Sequence, residues 1–169
     1  VEGTPGLGVT IIDLSFGKIG VANVMTNLFM PKSNPVFELL NQIKLKFNAN
    51  ENICFSLVDV HGEATSEKNA FGHFFDSKVS AIIGTHTHVP TSDARILVGG
   101  TAYQTDVGMT GDYNSVIGMD KKNPIHGFVK GYRSEGRFFP ASEKITICGT
   151  FVETDDKTGL SLKILPFRV

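Results

Sequence analysis

The chain has 169 residues, 41% of them hydrophobic, with 16 Lys and Arg against 17 Asp and Glu for a formal net charge of −1. That length holds one domain with a real core, and near-neutral, evenly spread charge leaves no electrostatic footprint for a nucleic-acid backbone, so DNA binding is disfavoured. No run approaches the ~20 consecutive apolar residues that span a bilayer, and the opening VEGTPGLGVT lacks the basic and apolar regions of a secretory signal. The expected setting is a soluble, reducing compartment, most simply the cytoplasm.

The chain opens without Met on a glycine-rich phrase, EGTPGLG, of the kind that joins elements. It reads as a beginning partway through a larger unit. GVTIIDL and GKIGVANVM are β-rich and flank SFG, which predicts an antiparallel pair around a tight turn. In NPVFELLNQIKLKF the apolar positions Val36, Leu39, Leu40, Ile43 and Phe47 recur at helical spacing, with Asn34 as the expected N-cap and Pro35 at the first helical position. NICFSLVDV is almost continuously apolar, the pattern of a strand covered on both faces. ATSEKNAFGHFF reads as a helix capped by Thr65 or Ser66, and KVSAIIG as a second doubly buried strand. Strand, helix and strand in that order make a βαβ unit with a parallel pair.

ARILV and TAYQTDVG add two short strands about a GG turn, NPIHGFVKGY a short helix behind Pro124, and KITICGTFVETDDKTGLSLKILPF a closing hairpin turned at DDKTG. Cys54 and Cys148 lie inside apolar runs and read as inert core thiols. The expected architecture over residues 1–169 is a single mixed α/β domain, its sheet partly parallel and partly antiparallel.

Ligands of open α/β sheets collect beyond the carboxyl ends of parallel strands. Here SLVDV runs into His61, SAIIG into His86 and His88, and TAYQT into Asp106. If His86 and His88 continue an extended strand, alternation turns both rings to one face, where they reach one metal or two adjacent ones. Each is also a common loop or capping residue, and a single His61 commonly satisfies a local hydrogen bond. Placed together at three strand ends, they point to a metal site. Asp59, Glu63, Thr85 and Thr87 bracket the imidazoles and are candidates to orient them or to meet a substrate. Glu63 and Glu67 equally suit the first turn of the following helix through its dipole. Gly84 and Gly108 are sites of close backbone approach or of simple turns. His73 and His126 sit in helical phrases and are expected to be structural.

Other chemistries lack their signatures. No G-x-S-x-G elbow occurs, no P-loop, and GTPGLG precedes a strand instead of opening a helix.

The phrases VDVHGEATSEK, GTHTHVPT and GTAYQTDVGMTGDYNSVIGMD resemble the YmdB-type family of bacterial calcineurin-like metallophosphoesterases, from EGTPG almost to the C-terminus. The resemblance implies a metallophosphoesterase sandwich of mixed sheets with flanking helices. It also implies a phosphodiesterase acting on small phosphodiesters, notably 2′,3′-cyclic nucleotides, through two divalent ions of iron, manganese or zinc. In that pattern the histidine of a DFHAEATSEK-like phrase and both histidines of GTHTH are metal ligands, corresponding to His61, His86 and His88. Val60 and Gly62 depart from the phrase beside the first ligand.

The family's leading βαβ part, with its GD-V-G, NGEN and GNH-W phrases, carries further ligands, the acidic bridge and the expected general acid. None of those phrases occurs in this chain. Two cations held ~3.5–4 Å apart need an anionic bridge, and three neutral imidazoles supply none. Asp106 is a candidate to assist, though not as that bridge. The sequence is therefore expected to be a C-terminal portion whose sheet has a bare edge: either a proteolytic remnant, or a chain completed by a separate N-terminal piece or by self-association. Two alternatives stay open: a non-catalytic binding or regulatory fragment, and a mononuclear three-histidine zinc hydrolase.

Overall fold

The computed structural model describes residues 5–31, 36–48, 52–132 and 136–169. β1 (Val9–Leu14) and β2 (Gly17–Met25) pair antiparallel across a two-residue turn at Ser15 and Phe16, as the SFG phrase predicts. α1 (Val36–Asn48) buries Val36, Ile43 and Phe47; Asn34 and Pro35, the expected cap, lie outside the described residues. β3 (Ile53–His61), α2 (Thr65–Phe75) and β4 (Ala81–Thr85) form the expected βαβ unit, with β2, β3 and β4 parallel. β5 (Arg95–Ile96) and β6 (Ala102–Gln104) pair antiparallel, and β6 joins β4 in parallel.

The resulting six-stranded sheet has the order β1-β2-β3-β4-β6-β5. Ala22, Val58, Ile82 and Tyr103 are partners across its four parallel strands and therefore share a face. They join Val36, Ile43 and Phe47 of α1 and Phe71 and Phe75 of α2 in one core, so both helices cover the same side of the sheet. Successive right-handed crossovers that step in one direction across a sheet require this.

A second sheet contains β7 (Thr110–Asp112), β8 (Ile145–Thr154) and β9 (Ser161–Arg168), all antiparallel. The side chain of Thr150 on β8 is hydrogen-bonded to Gln104 on β6, and the Ser161 amide donates to the Gly100 carbonyl at 2.8 Å. α3 (Lys122–Lys130) links β7 to β8.

Several expectations need correction. β3 alternates buried and half-buried residues, because helices cover only one face and Leu57 and Asp59 point to the other. The residue capping α2 is Ala64, with no side-chain bond, while Thr65 and Ser66 are already helical. The first turn is tied down by Glu67, whose carboxylate accepts the amides of Asn27 (3.3 Å) and Leu28 (2.9 Å). α3 starts at Lys122, two residues ahead of Pro124, which a first helical turn accommodates because its amides lack intrahelical partners. Open edges lie on β1 and β5, which flank the parallel set and each have one strand partner among the described residues. Both cysteines are half-buried, and Cys54 Sγ meets the Lys18 carbonyl at 3.3 Å.

Candidate functional site

β3, β4 and β6 are parallel neighbours, so their carboxyl ends open onto one edge of the sheet. His61 is the last residue of β3 and pairs in register with Thr85, the last of β4; Asp106 follows β6 by two residues. Gly84 makes this possible: a β-carbon there would lie 1.7 Å from the Thr105 carbonyl oxygen. Gly108 combines a φ of +84° with similar crowding, from the Tyr113 hydroxyl at 2.8 Å.

His86 and His88 do not continue the strand. β4 ends at Thr85, and the two histidines take φ values of 114° and 65°. Such conformations cost non-glycine residues about 1–3 kcal/mol each and persist only where the surroundings over-determine them. The two histidines therefore do not lie on an extended strand, and strand alternation does not bring their rings to one face. His86 turns back to His61, with Nδ1 3.1 Å from His61 Nε2, the rings edge to face, and its own Nε2 3.3 Å from Glu63 Oε2. His88 Nδ1 lies 2.8 Å from the Ile117 carbonyl oxygen, on the segment after β7.

Hydrogen-bond partners assign the tautomers. Thr85 Oγ1 donates its hydrogen to Asp59 Oδ1 at 2.8 Å, so at 2.9 Å from His61 Nδ1 it can only accept. His61 then carries its proton on Nδ1 and its lone pair on Nε2. Asp59 is fixed in turn by Asn23 Nδ2 at 2.6 Å. The Ile117 carbonyl likewise makes Nδ1 of His88 the donor and leaves Nε2 with the lone pair. Burial, then the neighbouring His86, holds the His61 imidazole below the ordinary histidine range against the opposing pull of Asp59. Its Nε2 lone pair faces His86 Nδ1.

With its proton on Nδ1, His86 donates to His61 Nε2 and leaves its own Nε2 beside the half-exposed Glu63 carboxylate; with its proton on Nε2, it turns a second lone pair toward His61 across 3.1 Å. A cation between the rings would meet a lone pair from each. Two imidazole nitrogens bound at ~2.1 Å to one tetrahedral ion lie about 3.4 Å apart, a separation close to the 3.1 Å between His61 Nε2 and His86 Nδ1. A third ligand is not assembled with them. Among the described residues no group of three or more His, Cys, Asp or Glu side chains is gathered closely enough to hold a metal.

Thr85 and Asp59 thus orient His61, Glu63 faces His86, and Thr87 donates its amide to Asp106 Oδ2 at 2.9 Å. Asp106 is fully buried and also accepts the Gly108 amide at 2.9 Å, so it braces the loop and does not face solvent. His73 is exposed at the end of α2, and His126 stacks edge-on against Tyr132 on α3, both away from this cluster. Three participants were not singled out from the sequence as site residues: Lys68, buried beside Asp106; Ile117, whose carbonyl fixes His88; and Asn23, a β2 residue that reaches β3. Only Lys68 had a clue, a charged residue on the apolar side of a helical phrase.

A family model described as YmdB-like protein matches residues 1–167. A 2′,3′-cyclic-nucleotide 2′-phosphodiesterase of Bacillus subtilis (strain 168) is 41% identical over 163 residues, 96% of this chain and 60% of the relative. The crystal structure of a hypothetical protein from Thermus thermophilus matches all of the chain and 64% of its own, with a TM-score of 0.88 and 37% identity. That of a novel phosphatase from Mycoplasma pneumoniae gives a TM-score of 0.85 at 36% identity, covering 97% of this chain and 57% of the other. The chain therefore spans about 60% of the length of the curated relative it matches.

Proposed function

This chain belongs to the YmdB-like protein family, and from that premise we propose that it carries part of the site of a metal-dependent phosphodiesterase acting on 2′,3′-cyclic nucleotides. The observation that carries the proposal is the facing pair of nitrogens, His61 Nε2 and His86 Nδ1, 3.1 Å apart at the carboxyl edge of the parallel strands. The name of the Bacillus subtilis relative supports the substrate class.

His61 and His86 would hold one divalent ion, with Thr85 and Asp59 keeping the His61 lone pair aimed at it. His88 presents Nε2 as the ligating atom for an adjacent ion. Iron, manganese and zinc all suit imidazole with oxygen donors. The chemistry such ions supply when bound is polarisation of a phosphoryl oxygen and activation of a water for attack on phosphorus. The mononuclear alternative would need His61, His86 and His88 on one ion, and they are not gathered for it.

Calorimetric titration with Mn²⁺ and Zn²⁺, paired with hydrolysis of 2′,3′-cyclic AMP on the same preparation, tests the proposal. His61→Ala and His86→Ala are each expected to abolish metal binding and any turnover. Metal occupancy unchanged in His61→Ala would overturn the site. Metal binding without turnover favours the non-catalytic fragment.

A further inference from the structure

We propose that the buried Lys68–Asp106 pair is a positioning device that imposes the ligating backbone conformation on His86; this rests on the metal-site reading above and adds a residue, Lys68, which that reading does not use. Both residues are fully buried. Lys68 Nζ donates to the Thr85 carbonyl at 2.8 Å and to Asp106 Oδ2 at 3.2 Å. Asp106 accepts the Thr87 amide at 2.9 Å on the same oxygen and the Gly108 amide at 2.9 Å on the other.

The two gripped groups flank His86. The Thr85 carbonyl belongs to the peptide before His86 and the Thr87 amide to the peptide after it. Fixing both planes fixes the rotation between them, which is the φ and ψ of His86. A backbone at φ 114° does not hold itself there, and this grip supplies the over-determination that such a residue requires. Gly84 clears the way for the lysine stem, whose Cδ would lie 3.1 Å from a β-carbon at that position.

Filling space does not demand these charges. A buried ion pair is commonly replaceable by apolar residues of similar volume without loss of stability, whereas removal of one partner leaves an uncompensated charge. A purely structural pair and a positioning pair therefore respond differently to the double substitution Lys68→Met/Asp106→Leu, which removes both charges together with the acceptor for the Thr87 and Gly108 amides.

The test uses the full chain, with Co²⁺ as the probe. Calorimetry gives its affinity, visible absorption its coordination geometry, and amide hydrogen exchange without metal reads the loop. The double variant is expected to remain folded, unfolding at lower urea than wild type because two amides lose their acceptor, while binding Co²⁺ roughly 10–100-fold more weakly. Its visible spectrum should change, and the Thr87 and Gly108 amides should exchange faster. Lys68→Arg, which keeps the charge, should retain part of the affinity. Wild-type affinity and spectrum in a folded double variant overturn the proposal, and so does undiminished protection of the two amides. Should the double variant not fold, Asp106→Asn, alike in shape, gives the same readouts. If wild type and His86→Ala bind Co²⁺ alike, the metal reading fails, and amide exchange still decides whether the pair grips the loop.

Discussion

Thr26 Oγ1 is a fully buried hydroxyl with no hydrogen-bond partner among the described residues, and it lies under Gly62, where a β-carbon would come within 1.8 Å of it. Restoring the family-like alanine, Gly62→Ala, is therefore expected to destabilise the chain by about 1–3 kcal/mol through overpacking. Thr26→Ala on top of it should recover most of that loss, because it removes both the clash and the orphaned hydroxyl. Urea unfolding of both variants checks the coupling, and simple additivity would refute it. His61 gives a second prediction. Its folded pKa lies below the unfolded one, so the unfolded chain binds the proton more readily. The associated stability is complete above about pH 6.5, is lost as pH falls through the folded value, and then levels off. In His61→Asn this component of the pH dependence should vanish, as comparison of urea midpoints at pH 8 and pH 5 will show. At this scale the sequence offered the imidazoles together with Asp59, Glu63 and Thr85 as candidates to orient them, but not which side chain meets which ring. A threonine bonded to a histidine 24 residues earlier leaves no local trace.

Elements were legible where they carry a period. The 3.6-residue recurrence of Val36, Ile43 and Phe47 marked α1, and the continuous apolar runs marked β3 and β4. β7 was missed because Thr110–Asp112 is three residues with no apolar alternation; its place is set by Asp112, whose carboxylate accepts the amides of Asn114, Glu143 and Lys144. The cap of α2 was misassigned for a related reason: the helix is held by its docking onto the sheet more than by its end. Phe71 has no solvent exposure and stacks on Phe75 at 4.9 Å between centroids. Phe71→Ala should accordingly cost about 3–5 kcal/mol in urea unfolding. A loss below ~1 kcal/mol would show that α2 does not depend on that contact. Since Lys68 sits one turn earlier on the same helix, the variant should also loosen the His86 loop, visible as faster exchange of the Thr87 amide.

Across the whole molecule, the two faces of the sheets are treated unequally. The ladder with β7 ends at Ile147 of β8, so among the described residues Gly149–Thr154 of β8 has a strand partner on one side only. One face of the β8–β9 hairpin carries Ile147, Phe151, Leu165 and Phe167, each 45–53% exposed, with Phe151 directly opposite Leu165. An apolar face beside an open edge favours self-association. Replacing the cross-strand pair with Phe151→Lys/Leu165→Glu is expected to lower dye binding and concentration-dependent light scattering while changing folding stability by no more than ~0.5 kcal/mol. Undiminished scattering would show that association runs through another surface.

By itself the sequence determined the mixed α/β class, the order of the elements apart from β7, and the gathering of His61, His86 and Asp106 at one edge of a parallel sheet. These follow from periodicity and chain direction, which are local properties written in consecutive residues. Only the tertiary structure decided that His86 and His88 part company, that both helices share one face, and that a buried lysine and aspartate grip the peptides on either side of His86. Each of these depends on groups distant in sequence that meet only after the sheet closes, and on a left-handed backbone whose cost is carried by contacts the local sequence does not contain.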